Sequence, residues 1–475
     1  MVSPLFFPII NQRTQYSGMH SIWTNKKWLM MRILMLCMVV TVFVLSVSLT
    51  TTPEYPVDDA YISFRYSKNW AQGYGPVFNP GARVEGYSSF LWIVFLSLLF
   101  RMGVTLPLAA RLLSIIAMIT IFWILLERGA NRSKHFGCWL LMVGATLFIA
   151  TSPSTLFNVL SGTESPMAAL LVLLGVYLLQ APFHPLLSPL VLLLLSLTRP
   201  EGIFVSLAIL AVEFVVQILV RADRRRIYKI SLMWAVGLVI PYALYIGWRI
   251  WFYGYPLPNT IYAKSGLVLP TQVKTALIYV TNFAKFYWPI FIGSLGIVFL
   301  LNDRVIRGAL TAVCAWGLIV MFSGGGDPYP HWRYLYPILP LIAMLAAEGL
   351  QAIYLRVAKS RSKVNEGQMA GFLLFLSRGF GLLIIALILI TQTPVFINSI
   401  RKHGKILDHV QRGIDLLFTQ DLKPHLEGAD RSVLNLHYLA AWLMANTSPL
   451  DLLATSEVGI APYYSDIRAC PPSLF

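Results

Sequence analysis

Charged side chains are scarce in this chain of 475 residues, because Asp, Glu, Lys and Arg together make up only 12% of it. Hydrophobic residues make up 57%. A soluble protein of this length would form two or three domains with charged surfaces, and its composition would show them. This composition excludes that class and indicates repeated membrane-spanning helices.

Closely spaced cysteines, histidine clusters and nucleotide-binding motifs are also lacking. The four cysteines lie far apart, without the spacing of a disulfide framework or a metal site, and the eight histidines form no cluster. Neither a GxGxxG nor a Walker A pattern occurs, and there is no tandem repeat. These absences argue against a disulfide scaffold and against a soluble nucleotide sugar as the substrate.

What the chain does have is a net charge of +16, carried by short basic runs between apolar segments. The richest runs lie at 221–229, 304–307 and 356–363. Basic residues in short loops are typical of the cytoplasmic side of a multi-pass membrane protein. The charge therefore predicts membrane topology, and no nucleic-acid partner is expected.

The apolar runs predict about eleven transmembrane helices. The first run, Trp28 to Thr50, is too long for a signal peptide and reads as a retained span. The runs lie at 28–50, 107–126, 136–152, 165–181, 185–199, 201–220, 230–251, 282–301, 308–323, 334–355 and 376–395. The pair at 165–181 and 185–199 could instead form a re-entrant hairpin, which would reduce the total to nine. With eleven crossings, the basic clusters all fall on the cytoplasmic side.

These spans divide the chain into three parts. Residues 1–27 form a cytoplasmic lead, residues 28–396 a transmembrane domain, and residues 397–475 a small outer domain that we expect to be incomplete. The first outer loop, 51–106, contains amphipathic stretches and a run from Ser88 to Phe100. A helix over that run reaches about 20 Å, short of a hydrocarbon core of about 30 Å, so it should lie on the outer face.

Two adjacent carboxylates, Asp58 and Asp59, stand where the chain leaves the first span. An acid pair at a membrane boundary costs solvation energy unless the site is wet and functional. From composition alone, the pair is equally well explained as a helix cap on an ordinary interfacial loop.

The stretch DDAYISFRYSKNWAQGYGPVFNPGARVEGYSSFLW from Asp58 resembles the first outer loop of bacterial GT-C glycosyltransferases, in the group that includes mycobacterial terminal arabinofuranosyltransferases. Further matching motifs are SGTESPMAALL, LTRPEG, PLPNTIYAK, GGGDPYPHWRYLYPILPL and ATSEVGIAPYYSD. The resemblance implies an all-α, polytopic GT-C fold. It also implies a hexosyl- or pentosyltransferase in the bacterial inner membrane, with its active site facing outward.

The implied reaction moves a sugar from a polyprenyl-phosphate donor to a hydroxyl of an envelope glycan, lipid or protein. Asp58 matches the catalytic carboxylate of the family, and a carboxylate can take the proton of the attacking hydroxyl. Asp59 is its neighbour and could hold the acceptor. The two carboxylates could also bind a divalent metal such as Mg²⁺ or Mn²⁺, although neither a DxD spacing nor a third ligand is evident.

Basic residues should neutralise the phosphate that leaves. Lys264 and Arg333 are the first candidates for this role, followed by Arg199. The candidates for binding the substrate are Arg65, Glu85, Tyr87, Tyr262, Asp327 and His331. Snorkelling arginines and interfacial aromatic belts are the ordinary alternatives for the basic and aromatic members of this set.

Two other functions remain open from the sequence. A carrier for lipid-linked or anionic solutes would also use outward-facing charges, but matching broken spans in two halves are not evident. A polymerase of lipid-linked sugars would share the donor chemistry. The products distinguish the three, since only a transferase of this kind releases polyprenyl phosphate.

Overall fold

The computed structural model describes residues 26–49, 56–132, 136–180, 185–259, 269–322, 331–361, 439–440, 442–447, 452–453, 459–465 and 468–469. Its helices are α1 (Lys26–Leu49), α2 (Asp58–Ala71), α3 (Phe90–Arg101), α4 (Leu106–Arg132), α5 (Phe136–Thr151), α6 (Pro153–Leu160), α7 (Ser165–Tyr177), α8 (Leu187–Thr198), α9 (Glu201–Leu219), α10 (Arg224–Trp234), α11 (Ile240–Tyr253), α12 (Leu269–Phe286), α13 (Trp288–Gly293), α14 (Arg304–Phe322), α15 (Leu339–Arg361) and α16 (Ile460–Ser465).

Short irregular helices extend several of these elements: 3₁₀ turns at Leu178–Gln180, Ser294–Leu300 and Tyr336–Ile338, and a π-helical turn at Ala235–Val239. Two short strands, β1 (Leu452–Leu453) and β2 (Arg468–Ala469), pair in parallel on either side of α16. The described architecture is therefore helical, as the sequence predicts.

Six of the described helical segments are long and apolar enough to cross a bilayer, and the number rises to eight if each of two bent pairs is one span. The bent pairs break by 53° before α6 and by 79° before α13. Pro153 and Pro289 stand in the first turn after each break, where proline cannot donate a helical hydrogen bond. Three shorter apolar helices, α3, α7 with its 3₁₀ turn, and α8, complete this set.

The chain is therefore a multi-pass membrane protein. The total of eleven crossings stays a prediction, because it counts the shorter helices and the run at 376–395, which lies outside the described residues. The tail at 397–475 is described only in fragments, so its prediction as an incomplete outer domain also stays untested.

Helix α2 is the element that positions the first outer loop. Its negative side chains, Asp58 and Asp59, occupy the first turn, where they complement the helix dipole. Gly73, with φ of 93°, ends the helix in the left-handed conformation that glycine favours, and its amide donates to the Trp70 carbonyl over 3.1 Å. α2 packs against the short apolar helix α3, so helices form both in the amphipathic stretch and in the apolar run predicted for this loop.

The core of the bundle runs between α4 and α15, and small residues bring its helices together. Gly296 and Gly349 face each other where α15 packs against the 3₁₀ turn Ser294–Leu300. A Cβ on Gly296 would collide with the Gly349 carbonyl oxygen. Close approach of this kind, through small residues, is how helices gain packing energy within a membrane.

Candidate active site at the first outer loop

The two carboxylates of the acid pair face different neighbours. Consecutive residues of an α-helix are rotated by about 100° around its axis. Asp58 is buried, with 7% of its surface exposed, whereas 46% of the Asp59 side chain is exposed. Each carboxylate therefore has its own set of partners.

Asp58 accepts hydrogen bonds from the backbone amides of the C-terminal segment. The Gly459 amide donates to Asp58 Oδ2 over 3.1 Å, and the Ile460 amide donates to Oδ1 over 2.7 Å. The motif ATSEVGIAPYYSD therefore contributes directly to the surroundings of the predicted catalytic carboxylate.

Asp59 forms an ion pair with Arg333. Both terminal nitrogens of the guanidinium lie 3.0 Å from Asp59 Oδ2. The arginine side chain is only 9% exposed, so the positive charge is held at the edge of the protein interior and next to the acid pair. The structure thus brings together three residues that the sequence proposes for the site.

Arg199 belongs to the same region. Its guanidinium pairs with Glu164 over 3.0 Å and with Glu201 over 3.3 Å. The guanidinium carbons of Arg199 and Arg333 lie 5.5 Å and 5.4 Å from the centre of the Tyr334 ring. Both distances suit a cation–π contact. Tyr334 therefore contacts both arginines, one from the LTRPEG motif and one from the HWRY motif.

The HWRY motif has an unusual backbone. His331 and Trp332 have φ angles of 71° and 52°, in the left-handed region that non-glycine residues rarely adopt. Such conformations cost about 1–3 kcal/mol each and persist where the surrounding structure fixes them. Trp332 packs against Phe286 and Tyr287, which supplies that fixation next to Arg333.

His331 lies against the ring of Phe157, with 5.2 Å between the ring centres. Burial lowers the pKa of His331 below its ordinary value, so the imidazole is neutral at pH 7. A neutral imidazole can form a hydrogen bond to a sugar hydroxyl but does not neutralise a phosphate. Its predicted part in substrate binding stays a prediction.

Glu85 and Tyr87 fix the end of the first outer loop to α11. Arg249 donates to Glu85 over 3.1 and 2.9 Å, and the hydroxyls of Tyr87 and Tyr253 lie 3.0 Å apart. Burial raises the pKa of Glu85, while the nearby Arg249 opposes that rise. The contacts described for both residues are internal, and their predicted contact with substrate stays a prediction.

Arg65 joins the loop to the C-terminal segment. Its guanidinium donates to the Phe78 carbonyl over 2.9 Å, to Asn79 Oδ1 over 3.2 Å, and to the Pro462 carbonyl. Arg65 is buried, with 4% of its surface exposed. Its described role is to hold the loop, and substrate binding by Arg65 stays a prediction.

Three of the predicted site residues, Lys264, Tyr262 and Asp327, lie outside the described residues. They belong to the segments 260–268 and 323–330, which are not described. Their roles in binding phosphate and substrate stay predictions.

The structure adds residues to this region that are not among the predicted site residues. Arg111 of α4 is almost fully buried, with 1% exposed, and it follows Ala109 and Ala110, which pack in the same apolar cluster as Tyr61. Its signal is an arginine inside an apolar run, since charged residues in spans are rare and functional. Glu164 could have been found as the acidic member of SGTE, opposite Arg199. The amides of Gly459 and Ile460 leave no side-chain signal.

A metal site is not evident among the described residues, where no group of three or more His, Cys, Asp or Glu could hold an ion. Asp58 accepts two amides, and Asp59 Oδ2 is bound by Arg333. In this part of the chain the divalent-metal hypothesis gains no third ligand.

A curated protein is similar to this chain in sequence. No protein-family model matches the chain. The terminal beta-(1→2)-arabinofuranosyltransferase of Mycobacterium tuberculosis is 27% identical over 361 residues, which cover 66% of this chain and 55% of that protein. The alignment thus spans about half the length of this curated relative.

Solved structures match over nearly the whole chain. The crystal structure of ArnT from Cupriavidus metallidurans bound to undecaprenyl phosphate has a TM-score of 0.53 at 14% identity, covering 92% of this chain and 85% of that one. The Archaeoglobus fulgidus oligosaccharyltransferase tethered with an acceptor peptide has a TM-score of 0.51 at 14% identity, covering 94% and 64%. These likenesses confirm the predicted fold class, an all-α polytopic fold of the GT-C type. The sequence similarity to the arabinofuranosyltransferase agrees with this fold.

Proposed function

We propose that this protein transfers a sugar from a polyprenyl-phosphate donor to a hydroxyl acceptor of the cell envelope, with Asp58 as the general base. The observation that carries the proposal is the meeting of Asp58, Asp59 and Arg333 at the start of α2. The proposed base, Asp58, is the neighbour in the first turn of α2 of the carboxylate that pairs with the proposed cation, Arg333.

The relatives support the donor class. The name of the mycobacterial relative is that of an arabinofuranosyltransferase, and the ArnT structure contains undecaprenyl phosphate. A lipid-phosphate donor agrees with a site built at the end of membrane-spanning helices, where the lipid can stay in the bilayer. Mass analysis of the glycosylated product distinguishes transfer of a pentose from transfer of a hexose.

The proposed reaction breaks the bond between the anomeric carbon and the phosphate oxygen, and it forms a bond from that carbon to the acceptor oxygen. Asp58 takes the proton of the acceptor hydroxyl, and the bonding electrons leave with the phosphate, which becomes polyprenyl phosphate. The transition state resembles an oxocarbenium ion. The Asp58 proton then passes to solvent or to the leaving phosphate.

Arg333 and Arg199, with Lys264, would stabilise the charge that grows on the leaving phosphate. Arg333 already lies beside Asp59, and both arginines contact Tyr334, so the two guanidiniums are positioned before substrate binds. Asp59 would keep Arg333 oriented and contact the acceptor. We place this site on the outer face of the bacterial inner membrane.

Asp58→Asn tests the proposal. The amide has nearly the shape of the carboxylate but cannot take a proton at neutral pH, and general-base catalysis typically contributes about 10²–10⁴ in rate. We expect transfer to fall by that factor, measured with the purified protein in nanodiscs and a radiolabelled polyprenyl-phosphate sugar, while donor binding is retained. Asp223→Asn is the matched control, because Asn also caps helices and Asp223 is an exposed N-cap of α10.

Retention of more than about a tenth of the wild-type rate would show that the general-base contribution is missing. A carrier would then be the better explanation if the labelled donor crosses the membrane intact.

A further inference from the structure

The C-terminal segment 459–465, called here the hook, lies along one face of α2. Asp58, Tyr61, Arg65 and Lys68 follow one another at intervals of three and four residues, which puts them on the same helix face. Every one of these side chains contacts the hook. The face that carries the proposed base is therefore the face that the hook covers.

The anchoring contacts differ along the hook. At its start, Ile460 is fully buried in the apolar cluster of Val57, Ala60 and Phe64. The Pro462 carbonyl accepts a hydrogen bond from Arg65. Further on, the ring of Tyr463 lies 5.2 Å from that of Tyr61, centre to centre. The hook is thus fixed by apolar, polar and aromatic contacts together.

The closest approach is at Gly459. A Cβ on this glycine would lie 2.5 Å from Asp58 Oδ1 and would collide with the Asp58 carbonyl oxygen. Any side chain there must push the hook or the start of α2 away. The backbone of the hook therefore comes as near to Asp58 as only glycine permits.

From this geometry we infer that Gly459 and Ile460 are positioning residues for Asp58, an inference that rests on the proposed function. Their amides donate to different oxygens of the carboxylate, which fixes its plane and stabilises its ionised form. An ionised carboxylate can accept about four hydrogen bonds, so two amides are compatible with taking a proton from the acceptor. The hook thereby acts by orienting the carboxylate of the base, and the proton transfer itself is carried out by Asp58.

Gly459→Ala in the full chain tests the inference. Misplacing a catalytic group by about 1 Å can cost about 10²-fold in rate. We expect kcat to fall at least about tenfold while the KM for the donor stays within about threefold, because donor binding does not use the hook. Gly308→Ala is the matched control. It also adds a methyl group at a crowded glycine, but against the flexible Leu179 side chain of the main core, so kcat per folded molecule should be unchanged.

A double variant separates positioning from general damage. If Gly459 acts through Asp58, then Asp58→Asn combined with Gly459→Ala should lose no more activity than Asp58→Asn alone. Wild-type kcat in Gly459→Ala would overturn the inference, and so would a rise in kcat, which would make the hook an inhibitory cover. Losses that multiply in the double variant would also overturn it.

Should Gly459→Ala fail to fold, as judged by size-exclusion chromatography, Tyr463→Ala carries the same test. It loosens the hook from Tyr61 and keeps both amides in the chain. A full wild-type kcat in that variant would overturn the inference. The two proposals fail separately: an active Asp58→Asn removes the proposed function, whereas an inactive Asp58→Asn with a fully active Gly459→Ala removes only the role of the hook.

Discussion

At the scale of the residue, neighbouring carboxylates differ because a helix turns them toward different surroundings. Asp58 is buried against two amides, while Asp59 is half-exposed and pairs with Arg333. A buried carboxylate held by directed donors is suited to act as a base, and an exposed one beside a guanidinium is suited to orient it. The proposed division of work follows from these environments.

Arg333→Ala should slow transfer by about 10²–10³, the usual cost of removing one preorganised donor from developing charge. The expected change is in kcat, measured in the same nanodisc assay, with the protein still monodisperse. Arg226→Ala, an exposed arginine of α10, is the matched control and should behave as wild type.

Equal activity of Arg333→Ala and Arg226→Ala would place the phosphate site elsewhere. Arg199 is then the next described candidate, since it shares Tyr334 with Arg333.

The sequence could predict the site's members but not their pairing. Asp58, Asp59 and Arg333 stand in recognisable motifs, and their chemistry points to sugar transfer. The partner of Asp59 lies 274 residues away, and the donors to Asp58 lie 401 and 402 residues away. Backbone amides in particular have no residue signature, so only the folded chain shows that Gly459 and Ile460 bind the base.

At the scale of the element, hydrophobic runs predict helices well and their breaks poorly. The run at 282–301 reads as one span, yet the structure has α12 ending at Phe286 and a bend of 79° before α13. Pro289 explains the break, because it cannot donate within the helix. The helix before the break, α12, begins at Leu269. Its first part is polar, so the hydrophobic run at 282–301 does not include it.

The orientation of the elements can be tested by labelling. In a chain whose four native cysteines are replaced by serine, we expect Ala82→Cys in the first loop and Pro256→Cys after α11 to react with an impermeant maleimide on intact cells. Arg225→Cys, at the start of α10, should react only after permeabilisation. All three positions are exposed, so accessibility of the side chain does not decide the result.

Labelling of Arg225→Cys in intact cells, with Ala82→Cys silent, would reverse the orientation. That result would also contradict the proposed reaction on the outer face, because the site would then face the cytoplasm.

At the scale of the whole molecule, two ion-pair groups in the described part of the chain lie near opposite ends of α4. α4 begins beside the acid pair, where Leu106 packs with Val57, and reaches Arg128 about 30 Å further on. There Arg128 lies 2.7 Å from Glu348. The separation matches the thickness of a hydrocarbon core. The sequence predicts which side the basic residues occupy, but not that Arg128 is a buried partner of a carboxylate.

The most direct test of the central claim is the stoichiometry of products from the wild-type protein. Purified protein in nanodiscs is given a polyprenyl-phosphate sugar labelled in both lipid and sugar, together with an acceptor fraction from the envelope. We predict one polyprenyl phosphate released for each glycosidic bond formed, and no release from Asp58→Asn above about 10⁻² of the wild-type rate. Release of polyprenyl pyrophosphate, or recovery of intact donor while the sugar stays on its lipid, would contradict the account.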